Sequence, residues 1–293
     1  MIIMEDVTKT YSTGVAALNG INLHIQKGEF VFIVGNSGSG KSTLMKCLFG
    51  IYSKDAGTIW FDGKEVNFKS SRDALDNGVA MVHQELNQAL KRSVMDNIWL
   101  GRYPRIKLGG AKMPFVSDKA EYDMTMEVFK DLNFEKFGIN INPRTIMSTM
   151  PVSRRQMVEI AKAVSANCKV LILDEPTAVL TPQETDKLFA ILRNMRNAGK
   201  AIVIITHKMH EVESLSDRVA VLRKGQYVGD VMTRDTNAEE LTNMMVGHPV
   251  KLNIERTEPV NPRPRIEVKD LIVRNEEGTT KLDHVSFTAN SGE

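Results

Sequence analysis

Gly35-Asn-Ser-Gly-Ser-Gly-Lys-Ser42 has the spacing G-x-x-x-x-G-K-[ST], which is the spacing of a phosphate-binding loop. The chemistry follows from the residue types. Glycines let successive backbone N–H groups converge on phosphate oxygens. Lys41 supplies a point charge for the terminal phosphates and Ser42 a hydroxyl for Mg²⁺. A helix beginning at this point adds the partial positive charge of its N-terminus. Gly35, Asn36, Ser37, Gly38, Ser39, Gly40, Lys41, Ser42 and Thr43 are therefore candidate nucleotide ligands.

Two carboxylates stand at the end of an apolar run, Val170-Leu-Ile-Leu-Asp-Glu175. Asp174 is placed to hold Mg²⁺, directly or through water. Glu175, one residue on, is placed to orient or deprotonate an attacking water. His207 follows the run Ala201-Ile-Val-Ile-Ile205 in Ile-Thr-His-Lys. An isolated histidine is more often structural, but the C-terminal end of such a strand faces the ligand in a parallel sheet, where this histidine can contact a γ-phosphate. Gln84, in Met81-Val-His-Gln-Glu85, ends another short strand and can reach the metal or the water. Tyr11 lies in a turn upstream of the loop and can stack on a base; a small-sheet tyrosine without such a role is the competing reading.

These residues need elements to hold them. Phe30-Val-Phe-Ile-Val34 reads as a buried strand running into the glycine loop, and Leu44, Met45, Leu48 and Phe49 recur at helical spacing behind it. The runs at 170–173 and 202–205 are apolar on both faces, as in a parallel sheet covered by helices. Residues 183–197 read as a helix with Leu188, Ile191, Leu192 and Met195 on one stripe. Strands alternating with helices predict an α/β core. Residues 2–10, 21–25 and 58–61 read instead as a small antiparallel sheet, and about 88–166 as a helical insertion with no strong strand.

The chain has 293 residues, 42% hydrophobic and 25% charged, with a formal net charge of +2. So small a charge gives no argument for nucleic acid. No apolar run approaches the roughly 20 residues of a membrane span, and the opening Met1-Ile-Ile-Met-Glu-Asp6 lacks the pattern of a signal peptide. Membrane association is expected only through a partner. Cys47 and Cys168 sit in apolar segments and read as buried free thiols.

Prolines at 259, 262 and 264 mark residues 251–265 as a linker between a first domain, 1–250, and residues 266–293. After it the opening of the chain recurs at an offset of 264 positions: Asp6 with Asp270, Gly14 with Gly278, Leu18 with Leu282, Gly28 with Gly292, and Ile21 with Val285. The same offset would put a second phosphate loop six residues past Glu293, so 266–293 reads as the truncated opening of a second domain.

Taken together these segments resemble the nucleotide-binding domains of ABC transporters: Tyr11, the loop 35–42, Gln84, a helical insertion, Leu171 to Glu175 followed by Pro-Thr, then His207. The resemblance implies a RecA-like P-loop NTPase core, α/β, with a small antiparallel β subdomain and an inserted α-helical subdomain at about 88–166. It implies an ATPase using ATP and Mg²⁺, with Glu175, His207 and Gln84 catalytic and Ser42, Gln84 and Asp174 at the metal. Its partners would be integral-membrane permease subunits, the second ABC domain of a longer chain and, indirectly, an extracytoplasmic sugar-binding protein. Its place would be peripheral, on the cytoplasmic face of the cell membrane. Asp73 to Leu86, Gln156-Met-Val-Glu-Ile-Ala-Lys162 and Met244-Met-Val-Gly247 are most similar to the sugar-importer ATPases of two fused domains, galactose/methylgalactoside type, with the ribose and xylose types near.

The sequence departs from that family at its signature, L-S-G-G-Q, which falls on Met150-Pro-Val-Ser-Arg154. Pro151 has neither hydroxyl nor N–H to give to the γ-phosphate bound by an opposite domain. Ser153 and Gln156 are spaced as a capping box for a helix starting near 154, so the helix is expected to survive a weakened signature. Tyr11 pairs with Asn275 at the 264 offset, and Thr181 stands where the family's loop after Glu175 carries an aspartate. One competent and one impaired ATP site is the expectation. A soluble ABC ATPase without a permease, a small-molecule kinase or GTPase, and a nucleotide-binding module that no longer hydrolyses are the rival readings.

Overall fold

A computed structural model describes residues 1–108, 111–249, 262–274, 278 and 280–292. The chain divides into two compact units, Met1–Val250 and Lys251–Glu293.

The first unit opens on β1 (Ile2–Thr10), whose alternate residues Ile2 and Met4 are buried, paired antiparallel with β2 (Ala16–Ile25). β3 (Phe30–Val34) is buried at all five positions and leads through the glycine loop into α1 (Lys41–Leu48). β4 (Ala56–Phe61) and β5 (Lys64–Glu65) complete a four-stranded antiparallel sheet of order β2-β1-β4-β5. α2 (Ser71–Asp76), whose start is capped by the Ser70 hydroxyl accepting from the Asp73 N–H, then leads to β6 (Val79–Val82).

The insertion that follows holds α3 (Val94–Ile98), β7 (Arg105–Leu108), β8 (Ala111–Val116), α4 (Asp118–Asp131) and α5 (Val152–Val164). β7 and β8 form an antiparallel hairpin in a stretch expected to hold no strong strand. Its signal was present: Arg105-Ile-Lys-Leu108 alternates charged and apolar residues and is followed by two glycines, a hairpin cue that the helical reading of the neighbouring residues overrode.

The chain returns to the central sheet with β9 (Val170–Asp174), α6 (Pro182–Asn197), β10 (Ala201–Ile205), α7 (Met209–Leu215), β11 (Arg218–Arg223), β12 (Gln226–Met232) and α8 (Ala238–Val246). The order is β12-β11-β3-β10-β9-β6, parallel throughout except for the antiparallel edge pair β11 and β12. Alternate residues of one strand feed two cores. Phe32, Leu173 and Ile204 pack with Ile160, Leu188 and Leu192, while Ile33, Ile172 and Ile205 pack with Leu44, Leu48 and Ile2. Both faces are therefore apolar because both are covered. The second unit contains a hairpin of β13 (Pro264–Arg274) and β14 (Thr280–Asn290). The expected linker at 251–265 lies outside the described residues as far as 261.

Thr181 has a structural task of its own. Its hydroxyl accepts from the Glu184 N–H and the Glu184 side chain accepts from the Thr181 N–H, a capping box ahead of Pro182 in the first turn of α6. Threonine here keeps the N-cap chemistry that aspartate would provide. Thr181→Ala is expected to lower stability by about 1 kcal/mol, read as a fall in the urea unfolding midpoint at unchanged slope.

Candidate functional site

Three neighbouring strands of the parallel sheet end at one place. β3 ends in the glycine loop, β9 in Asp174-Glu175, and β10 in Thr206-His207, with Ile205 in register with Ile33 on one side and Asp174 on the other. The loop, Gln84, Glu175 and His207 line one cavity of about 580 Å³ together with Ile205 and Met245. Met245, from α8, belongs to the segment Met244-Met-Val-Gly247 that carries the sugar-importer resemblance, but it was not among the expected site residues.

The loop is built for a ligand rather than for a side chain. Gly35 has φ +153°, and a Cβ there would lie 2.1 Å from the Leu222 carbonyl oxygen; Gly40 has φ +100°, and its Cβ would meet the Ala17 oxygen at 2.6 Å. Gly40 caps α1 without any side-chain hydrogen bond, so the first N–H groups of that helix are available to an anion. Gly38, at φ +76°, has open space on its Cβ side. The Lys41 ammonium donates to the loop's own carbonyls, Gly35 at 2.7 Å and Asn36 at 3.0 Å, and lies 3.4 Å from Ser39 Oγ. Burial pushes its pKa down, against the pull of Glu175 and Asp174. A phosphate group would replace neutral acceptors with charged ones around a cation that burial has left under-solvated.

Asp174 is 5% exposed, and Ser42 Oγ donates to its Oδ1 at 3.2 Å. Burial raises its pKa. A buried carboxylate bridged to a hydroxyl beside a phosphate loop is an oxygen donor set suited to a hard divalent cation. Glu175 has φ +48°, an uncommon conformation for a non-glycine residue. Its N–H donates to the Ile205 carbonyl at 2.9 Å, which fixes the backbone. Its carboxylate lies between two neighbours: Gln84 Nε2 donates to Oε2 at 3.2 Å, and His207 Nδ1 is 3.1 Å from Oε1. Gln84, expected at the metal or the water, and His207, expected at the γ-phosphate, thus both touch the carboxylate expected to act on the water. Tyr11 is not among the residues lining this cavity; it meets the loop through its hydroxyl, 2.6 Å from Thr43 Oγ1, and its ring is edge-on to Tyr52 at 5.8 Å.

The Met150–Arg154 segment differs from expectation. α5 starts at Val152 with Pro151 as its cap residue and no side-chain cap bond, so the capping box of Ser153 and Gln156 does not form. Ser153 lies inside the first turn, beside Glu184, and its hydroxyl holds that acid below its usual range. Arg154 Nη1 donates to the Asn140 carbonyl at 3.1 Å. Asn275, the counterpart of Tyr11, lies outside the described residues. Among the described residues no group of three or more His, Cys, Asp or Glu gathers as a metal site, and no helix is long and apolar enough to cross a membrane. Cys47 and Cys168 are buried free thiols, as expected.

The family model for the ABC transporter matches residues 18–178. The chain belongs to the ABC transporter family. It is 43% identical over 290 residues to the galactose/methyl galactoside import ATP-binding protein MglA of Fusobacterium nucleatum, covering 99% of this chain and 55% of that protein. With the protein of the same name from Escherichia coli K12 the identity is 42%, over 99% of this chain and 54% of the relative. This ABC chain therefore spans about half the length of the curated relatives it matches. Among solved structures, a nucleotide-free ATP-binding cassette from an ABC transporter superposes with TM-score 0.69 at 21% identity, covering 84% of this chain and 95% of that one. The cbiO1 protein of Clostridium perfringens, part of the ABC transporter complex cbiONQ, gives 0.67 at 28% identity, covering 84% and 94%. The RecA-like P-loop fold with its antiparallel and helical subdomains is thus the fold of this chain.

Gly35→Ala in this ABC chain is expected to be destabilising by about 1–3 kcal/mol or more, because the added Cβ meets backbone rather than a yielding side chain. Thermal unfolding against the wild type, with and without ATP, measures it.

Proposed function

We propose that this chain binds and hydrolyses ATP to power sugar import through a membrane permease. The observation that carries the reading is the contact of Glu175 with both Gln84 and His207 at the mouth of the phosphate loop. A carboxylate held by a donor on each side, next to a cradle for phosphates, is arranged to orient a water for in-line attack. Gly35 to Thr43 bind the phosphates, Tyr11 stacks on the adenine, and Ser42, Gln84 and Asp174 hold the metal. Mg²⁺, when bound there, neutralises charge on the phosphate oxygens. His207 reaches the γ-phosphate while bonded to Glu175. The sugar assignment, of the galactose/methylgalactoside class, is supported by the relatives' names and by the segments at 73–86, 156–162 and 244–247.

In this reading residues 1–250 are a first ABC domain, with its helical subdomain at about 88–166, and 251–265 link it to 266–293, the start of a second. Support comes from the hairpin of the second unit. Six pairs of β1 with β2 recur at the 264 offset in β13 with β14, from Ile2↔Ile25 with Ile266↔Ala289 to Thr10↔Ala16 with Arg274↔Thr280. The permease and an extracytoplasmic sugar-binding protein are the partners, nucleic acid is not one, and the chain works peripherally at the cytoplasmic face of the membrane. The signature Met150–Arg154 is weak, since Pro151 offers neither hydroxyl nor N–H and Arg154 is already engaged by the Asn140 carbonyl, so the ATP site it serves is the impaired one of two.

Lys41→Ala is expected to weaken Mg-ATP binding about 10-fold or more, because a charged hydrogen bond is worth roughly 1.5–3 kcal/mol. Equal affinities by calorimetry would remove the phosphate-loop assignment. Glu175→Gln in the full-length protein is expected to keep ATP bound while turnover falls about 100-fold; a variant with normal phosphate release would show that Glu175 is not the base.

A further inference from the structure

The residues that flank Glu175 and His207 meet in a buried polar cluster that touches neither the phosphate loop nor its cavity. At its centre is Glu211 on α7, 1% exposed, as are Thr177 and Thr206. Thr177 Oγ1 donates to Glu211 Oε1 at 2.6 Å, and Thr206 Oγ1 reaches Oε2 at 3.4 Å. Lys208 Nζ donates to the Thr177 carbonyl at 2.9 Å and hydroxyl at 3.2 Å, and lies 3.3 Å from Glu211 Oε1. The Lys208 N–H donates to Thr206 Oγ1 at 3.1 Å.

Stability alone does not account for this arrangement. Burying a carboxylate is costly even when it is paired, and well-packed apolar residues in its place are often neutral or stabilising. What the cluster supplies is geometry. Thr177 comes two residues after Glu175, in the turn whose first residue holds φ +48°. Thr206 and Lys208 come directly before and after His207. One carboxylate takes a hydroxyl from each of these two turns, and one ammonium ties them a second time. The Glu175–His207 contact it backs is between side chains 23% and 61% exposed, a pairing that contributes little by itself and needs both backbones held to persist.

We propose that Glu211 is a positioning residue for ATP hydrolysis, clamping the turn after Glu175 to the turn that carries His207, with Thr177 and Lys208 as its grips. The proposal rests on the hydrolytic reading of the site. Because none of these side chains lines the phosphate cavity, loosening the clamp should spoil alignment and leave nucleotide binding intact, and small misplacements of catalytic groups are kinetically expensive.

The test uses the full-length protein assembled with its membrane partner, comparing Thr177→Val, Thr177→Ser and Glu211→Gln with the wild type. Valine keeps the shape of threonine and loses the hydroxyl; serine keeps the hydroxyl and loses the methyl. The expected result is a fall in kcat of about tenfold for Thr177→Val and Glu211→Gln, with KM and ATP affinity within about twofold of wild type and Thr177→Ser near wild-type turnover. A role in packing alone predicts the reverse order, Val tolerated and Ser impaired, and that order would overturn the proposal, as would normal kcat in Thr177→Val. Should the buried variants misfold, Lys208→Met, at a half-buried position, reads the same clamp: a lowered kcat at constant ATP affinity supports it, and an unchanged kcat overturns it. Glu175→Gln is measured alongside. If wild-type turnover is abolished by Glu175→Gln and untouched by Thr177→Val, the clamp alone is wrong. If the wild type shows no turnover that Glu175→Gln can remove, the hydrolytic reading falls and the clamp with it.

Discussion

Ile205 is bonded in parallel register to Ile33 on one side and to Asp174 on the other. That placement of β10 between β3 and β9 is the constraint on which the site depends. It aligns the ends of three strands that are distant in sequence, so that the glycine loop, the acidic pair and Thr206-His207 emerge at one edge of the sheet. The same strand ends exchange backbone hydrogen bonds past the last pair, Glu175 N–H to the Ile205 carbonyl at 2.9 Å and Thr206 N–H to the Ile33 carbonyl at 3.4 Å. A slip of one residue in β10 would turn Ile204 and Ile205 to the wrong cores. Because both faces of the sheet are packed, that slip is resisted by the whole interior and not by the strand alone.

Every later feature inherits this alignment. The positive φ of Glu175 turns its side chain away from the strand direction, and strain of this kind persists only when the surroundings over-determine it. Here the surroundings are the Ile205 carbonyl on the backbone, Gln84 and His207 on the carboxylate, and the Glu211 cluster beyond Thr177. The departures at the signature have a related cause. Glu184, which caps α6 with Thr181, also lies beside Ser153, whose hydroxyl lowers its pKa, so the start of α5 and the start of α6 meet at one acid.

Much of this was legible in the sequence because it is local. The boundaries of β3 and α6 followed from an apolar run and from the stripe Leu188, Ile191, Leu192, Met195, all of which are buried. The phosphate loop is a contiguous string, and the acidic pair and His207 each close an apolar run. What the sequence did not disclose is pairwise and distant. Glu211 and Thr177 are 34 positions apart, and no spacing rule links them. Ser153 reads as a helix cap because Gln156 stands three residues on, yet the proline at 151 takes the cap position and leaves Ser153 inside the first turn, beside Glu184. Spacing rules report only partners within one element.

The hairpin of the second unit separates what is local from what is not. Its register repeats that of β1 and β2 pair for pair, and so do its backbone irregularities: Asp6 and Asp270 at φ 50° and 55°, Gly14 and Gly278 at 83° and 79°, Gly20 and His284 at 64° and 51°. Even the contact closing the bulge recurs, the Asp6 N–H donating to Asn22 and the Asp270 N–H to Ser286. Burial does not recur. Ile2 and Val7 are fully buried, while Ile266 is 57% and Leu271 39% exposed. In the first unit Ile2 and Val7 are covered by residues that arrive later in the chain, Val31, Ile33 and Leu44 among them. Turn and bulge residues therefore specify the shape of this ribbon, including substitution of Gly20 by a histidine in the same left-handed conformation. In the first unit the hydrophobic stabilisation that makes such a two-stranded ribbon durable comes from residues of β3 and α1 packed against β1 and β2.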